Sequence, residues 1–177
     1  MRTTAGKLEQ KAEQTLQDAG ALQVPVPIEK VANHLNLTME AGRLEDVSGI
    51  LIVRGDRGAI GYNSTHSVMR RRFTIAHEIS HFLLHARRKR KPQLFADKHV
   101  LFRLPSDDRA SHRSRRDLEA NQLGAALLMP GSAVFKEIEF YGSDLDDEVA
   151  IRYLANRFRV SVAVMANRLM SLRLLLL

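Results

Sequence analysis

Apolar residues recur at helical spacing near the start of the chain: Leu8, Ala12, Leu16 and Ala19 share a face and stop at Gly20. That pattern predicts an amphipathic helix over residues 6–19. Pro27 stands just ahead of a second series, Ile28, Val31, Ala32 and Leu35, which predicts a short helix. The period then changes. LTMEAGRLE and VSGILIVRGDRGAIGYN carry β-branched runs about a turn at Gly55 to Gly58, and predict a hairpin within a small antiparallel sheet. Helical spacing returns after Asn63, roughly from Ser67 to Arg88, with Phe73, Ile75, Ala76, Ile79, Phe82, Leu83 and Leu84 spread nearly all round the axis. A helix that is apolar on every side is central and covered, so polar residues within it need partners.

Residues 87–115 read as a loop with one short strand at KHVLFRL. RRDLEANQLGAALLMP predicts a second buried helix that ends before Pro130. DDEVAIRYLANRF and VAVMANRLMSLRL, separated by a break at RVS, predict a helix pair. The expected fold class is therefore α+β and mostly helical. Residues 1–142 form its main domain and residues 143–177 a C-terminal helical subdomain packed on it.

Composition narrows the chemistry. A chain of 177 residues with 45% hydrophobic content can bury one core. It has no cysteine, which removes disulfides, thiolate metal sites and a cysteine nucleophile. Any metal must be held by histidine and carboxylate. The amino end lacks an apolar signal core, and no window approaches the roughly 18 consecutive apolar residues of a membrane span. A cytoplasmic location is the expectation. The net charge of +7 is concentrated between Arg87 and Arg116, where eleven Lys or Arg face three Asp. Such a stretch could attract nucleic acid or an acidic partner, but with only Phe95 and Phe102 in it, it lacks the regular interleaving of aromatic residues by which single-strand binders stack bases.

The candidate chemistry lies in FTIAHEISHFLLH, residues 73–85. His77 and His81 stand four apart, about 40° round a helix and one turn along it, so both imidazoles can reach one ion. Glu78 projects about 60° from His81, where a carboxylate can take a proton from water acidified by a metal. His85 lies about 12 Å along the axis from His77, too far to share an ion at about 2.1 Å, and a structural role suits it better. Two histidines leave a catalytic zinc one protein ligand short. Asp117 and Asn121 share a face of the next buried helix, so one could ligate while the other orients a ligating histidine. Glu119 competes from another face, and the roll of that helix decides between them.

RRRFTIAHEISHFLLH, followed by DLEANQLGAALLMP and later FRVSVAVMANRL, resembles the ImmA/IrrE family of bacterial and phage metallopeptidases. The likeness covers most of residues 25–170. It implies a zincin-like metallopeptidase domain with a C-terminal helix-turn-helix-like subdomain. It further implies a Zn2+ cofactor held by His77 and His81, Glu78 as catalytic base, and a helix-turn-helix repressor as substrate, whose cleavage relieves repression. The family's third ligand is a glutamate at the position occupied here by Asp117, which keeps Glu119 as an alternative. Leu123 and Gly124 likewise replace a usual Phe-Ala pair. Two rival readings belong to another class: a regulator that binds its repressor without cutting it around a structural metal, and a DNA-binding protein using Arg157, Arg159 and Arg168. An oxyanion donor could come from His85, His112 or Tyr62.

Overall fold

The computed structural model describes residues 4–86, 92–97, 115–141 and 148–174. Helix α1 (Thr4–Asp18) buries Leu8, Ala12 and Leu16 against the body of the molecule. Helix α2 (Ile28–His34) follows Pro27 and buries Ile28, Val31 and Ala32. The sheet comprises β1 (Leu37–Gly42), β2 (Gly49–Arg54), β3 (Arg57–Asn63) and β4 (Gln93–Asp97), in the order β1-β3-β2-β4. Helix α3 (Val68–His81) passes into a π-helical turn, Phe82–Ala86. Helices α4 (Arg115–Leu128), α5 (Gly131–Tyr141), α6 (Glu148–Phe158) and α7 (Val162–Ser171) complete the described elements.

The sheet corrects one expectation. β2 is antiparallel to β3 and to β4, but β1 runs parallel to β3, so the sheet is mixed rather than antiparallel. Alternation of apolar residues fixes which face of a strand is buried and leaves open which non-consecutive strand lies beside it. The hairpin itself is local and follows its turn. Gly55 has φ 68° at the first position of a two-residue loop, as a type II′ turn requires. β4 is a strand of the sheet at Gln93–Asp97, and the strand expected at residues 98–104 lies outside the described residues. Its pairing with β2 joins residues some forty positions apart, which no local period records.

α3 is the central element, packed on α4 on one side and on β2 and β3 on the other. Ser67 caps it, accepting a hydrogen bond from the Arg70 backbone amide at 3.3 Å. The arginines at its start fasten it in place: Arg70 Nη2 donates to Ser48 Oγ at 3.0 Å, and buried Arg72 donates through Nη2 to the Val26 carbonyl at 2.9 Å. Burial draws the Arg72 guanidinium below its ordinary pKa. Leu51, Val53 and Ile60 of the sheet join Phe73, Ile79 and Phe82 in one apolar cluster. Leu154, Phe158, Met165 and Leu169 of α6 and α7 belong to the same cluster.

The helix pair α6–α7 breaks where the sequence predicts, with Arg159 at φ 52° and Ser161 capping α7 by accepting from the Val164 amide. Its arginines are largely committed to the protein. Arg168 is buried; its guanidinium donates to both oxygens of Glu9 at 2.6 and 2.7 Å and to the Met129 carbonyl at 2.9 and 2.8 Å. Arg157 makes a two-pronged bond to Glu137 at 2.8 and 2.7 Å, which holds the Glu137 carboxyl below its ordinary pKa. Arg159, the third arginine considered for phosphate contact, is exposed.

Candidate metal centre

His77, Glu78 and His81 lie near the C-terminal end of α3, just before the π-helical turn, and are buried, Glu78 completely. The i and i+4 spacing has the expected consequence: His77 Nε2 and His81 Nε2 approach to 3.0 Å. Two imidazole nitrogens on a tetrahedral zinc, each at about 2.05 Å, would be about 3.3 Å apart. The pair is thus nearly at ligating separation.

α4 runs antiparallel to α3 beside this pair. Asn121 faces His77, with its Oδ1 2.8 Å from Nδ1, and Asp117 faces His81, with Oδ1 3.6 Å from Nε2. When Nδ1–H of His77 donates to the Asn121 amide oxygen, the neutral ring keeps its lone pair on Nε2, the nitrogen turned toward His81. Glu119 points elsewhere and pairs with Arg115 at 3.2 Å along the exposed side of α4. The roll of α4 therefore brings Asp117, rather than Glu119, to the histidines.

Glu78 occupies a recess under the sheet. A Cβ built on Gly49, the first residue of β2, would lie 2.6 Å from Glu78 Oε1 and 2.5 Å from Thr74 Cγ2. Only glycine leaves room there for the carboxylate. Nothing in the local pattern of β2 distinguishes this glycine from an ordinary strand start.

Two further aromatic neighbours frame His81. Phe95 of β4 stacks on its ring at 4.9 Å and 26°, and His85 lies 5.3 Å away at 53°. The π-helical turn carries His85 toward α4, where its Nε2 lies 3.2 Å from the Arg116 carbonyl and can donate to it. His85 thus ties the end of α3 to the residue before Asp117. Phe95 has no signal in the sequence as a site residue, because its strand lies within the basic segment and reaches the site through pairing with β2. Of the oxyanion candidates, Tyr62 is half-buried on β3, and His112 lies outside the described residues.

The donor chemistry fits a borderline-soft divalent cation: two imidazole nitrogens converge, with a carboxylate next to one of them. Among the described residues no three His, Asp or Glu side chains are gathered as a complete cage. The 3.6 Å separation of Asp117 from His81 is slightly longer than shared ligation of one ion would give, and the histidine pair slightly shorter.

The family model Peptidase_M78, the IrrE N-terminal-like domain, matches residues 28–170. The chain belongs to this family. Membership supports a metallopeptidase of the ImmA/IrrE type, and a metallopeptidase implies a metal. The matched span begins with α2 and ends within α7, so it takes in the sheet, both helices of the candidate centre and the helix pair. No curated protein matches the chain. Among the described residues no helix is long and apolar enough to cross a membrane.

Proposed function

We propose that the chain is a zinc-dependent metalloendopeptidase that cleaves a helix-turn-helix repressor in the cytoplasm and so relieves repression. The observation that carries this reading is the convergence of His77 and His81, with Nε2 atoms 3.0 Å apart, beside Asp117 and on the same helix turn as Glu78. In this reading His77, His81 and Asp117 hold the ion and Glu78 is the catalytic base. Zinc, when bound, supplies Lewis acidity to the scissile carbonyl and acidifies water at the site.

The chain's own residues do the rest. Asn121 fixes the tautomer of His77 by accepting a hydrogen bond from its Nδ1–H. Phe95 and His85 limit the rotation of the His81 ring from two sides. Gly49 gives the Glu78 carboxylate its recess, so that it is held in place as it takes a proton from the attacking water and passes it to the leaving amine. Direct DNA binding gains no support from α7, since Arg168 is spent on Glu9 and Met129 inside the protein.

The test is incubation of the zinc-loaded chain with a helix-turn-helix repressor encoded beside it. Defined fragments that disappear when a chelator is added are the expected result. An intact repressor held in a stable complex, with or without zinc, would replace the peptidase reading by that of a binding regulator.

A further inference from the structure

The stripe of α4 that faces α3 consists of Asp117, Asn121 and Gly124, at positions i, i+4 and i+7, within about 60° of arc. Each meets α3 at a different level. Asp117 Oδ1 is 3.6 Å from His81 Nε2, and Asn121 Oδ1 is 2.8 Å from His77 Nδ1. Gly124 meets the helix backbone itself: a Cβ built there would lie 3.3 Å from the Ala76 carbonyl carbon, 3.3 Å from His77 N and 3.4 Å from Ala76 O. Ala76 and His77 are buried within α3 and cannot swing aside as the end of a flexible side chain would.

We propose that Gly124 is a positioning residue for metal ligation. Its missing Cβ lets α4 close onto the backbone of α3, and that approach lets the short carboxylate of Asp117 reach an ion shared with His77 and His81. The proposal rests on the reading of those three residues as ligands. A methyl group at position 124 would push the helices apart by a few tenths of an ångström at the level of His77, whereas metal sites tolerate only about 0.2 Å in ligand distance. Aspartate has one methylene fewer than glutamate with which to absorb the displacement. Close approach at Gly124 and a short side chain at Asp117 are therefore matched, and changing either alone spoils the fit.

This makes a prediction with a change of sign. Zinc affinity is measured by competition with a chromophoric chelator for the wild-type chain, Gly124→Ala, Asp117→Glu, the double variant and His77→Ala, with thermal melts to verify folding. Gly124→Ala is expected to bind zinc about ten-fold more weakly while remaining folded, the size of effect typical of groups that orient ligands. Asp117→Glu is expected to weaken binding in the wild-type background and to restore it in the Gly124→Ala background. Wild-type affinity in Gly124→Ala, or the same factor for Asp117→Glu in both backgrounds, overturns the proposal. Should Gly124→Ala fail to fold, Asp117→Glu alone decides: weaker binding supports the match, and equal or tighter binding refutes it. Undiminished zinc binding by His77→Ala would refute the ligand assignment, and the proposal with it, by a result that does not involve position 124.

Discussion

Glu78→Gln is expected to leave zinc binding intact and to lower peptide cleavage by about 10²–10⁴-fold, the usual worth of a positioned general base. Glutamine keeps the volume and one oxygen of the side chain but cannot accept the proton of the attacking water. Folding should not confound the measurement. Glu78 is completely buried, and in the zinc-stripped protein a neutral side chain in that recess costs less desolvation than a carboxylate. Thermal melts of the stripped wild type and stripped Glu78→Gln verify that both are folded. Single-turnover cleavage beside zinc content separates the possibilities. Cleavage at the wild-type rate would remove Glu78 from the mechanism, and loss of zinc would make it a ligand.

The second large effect concerns Arg168, which joins α7 to α1 and to the end of α4. Its guanidinium serves Glu9 and the Met129 carbonyl at once, with the arginine side chain 4% exposed and Glu9 31% exposed. Arg168→Ala leaves a carbonyl without its donors and a partly shielded carboxylate without its counter-charge. The expected cost is about 2–4 kcal/mol, below the range for a wholly buried pair because water still reaches Glu9. In a chain of this size that corresponds to a fall of roughly 5–12 °C in melting temperature. Glu9→Gln should cost less, since the amide oxygen still accepts from Arg168 and no charge is stranded on the acidic side. Urea unfolding of the three proteins measures both. A loss under about 1 kcal/mol for Arg168→Ala would mean that α7 is held by its apolar face, Met165 and Leu169, alone.

What the sequence revealed of this molecule follows the range of its signals. A helical period is local, so α1, α2, α3, α4 and the α6–α7 pair could be read from their apolar spacing, and the angle between His77 and His81 came with the helix. The direction of β1 could not be read, because parallel pairing with β3 depends on a strand that is not its neighbour in the chain. α5, which begins directly after Pro130, is not among the elements the apolar spacing predicts. The continuation of α3 changes its winding at Phe82, which sends His85 to Arg116 rather than along the line of the other two histidines. The sequence does not decide between Asp117 and Glu119, for a physical reason. α4 carries apolar residues on both sides, with Leu118 47% exposed and Leu123 buried, so its pattern does not state which way it rolls. The roll is set by contacts far away in sequence, among them the absence of a Cβ at Gly124.

The identity of the third ligand also offers the most direct test of the proposed centre. Metal analysis after exhaustive dialysis, on wild type beside Asp117→Ala and Glu119→Ala, asks whether a zinc ion is held and by which carboxylate. About one zinc per chain is expected for the wild type and for Glu119→Ala, as one tetrahedral site with three protein ligands would hold. Asp117→Ala should lose most of it while remaining folded. Wild-type zinc content in Asp117→Ala, or a wild type that retains none, would contradict the site built on His77, His81 and Asp117.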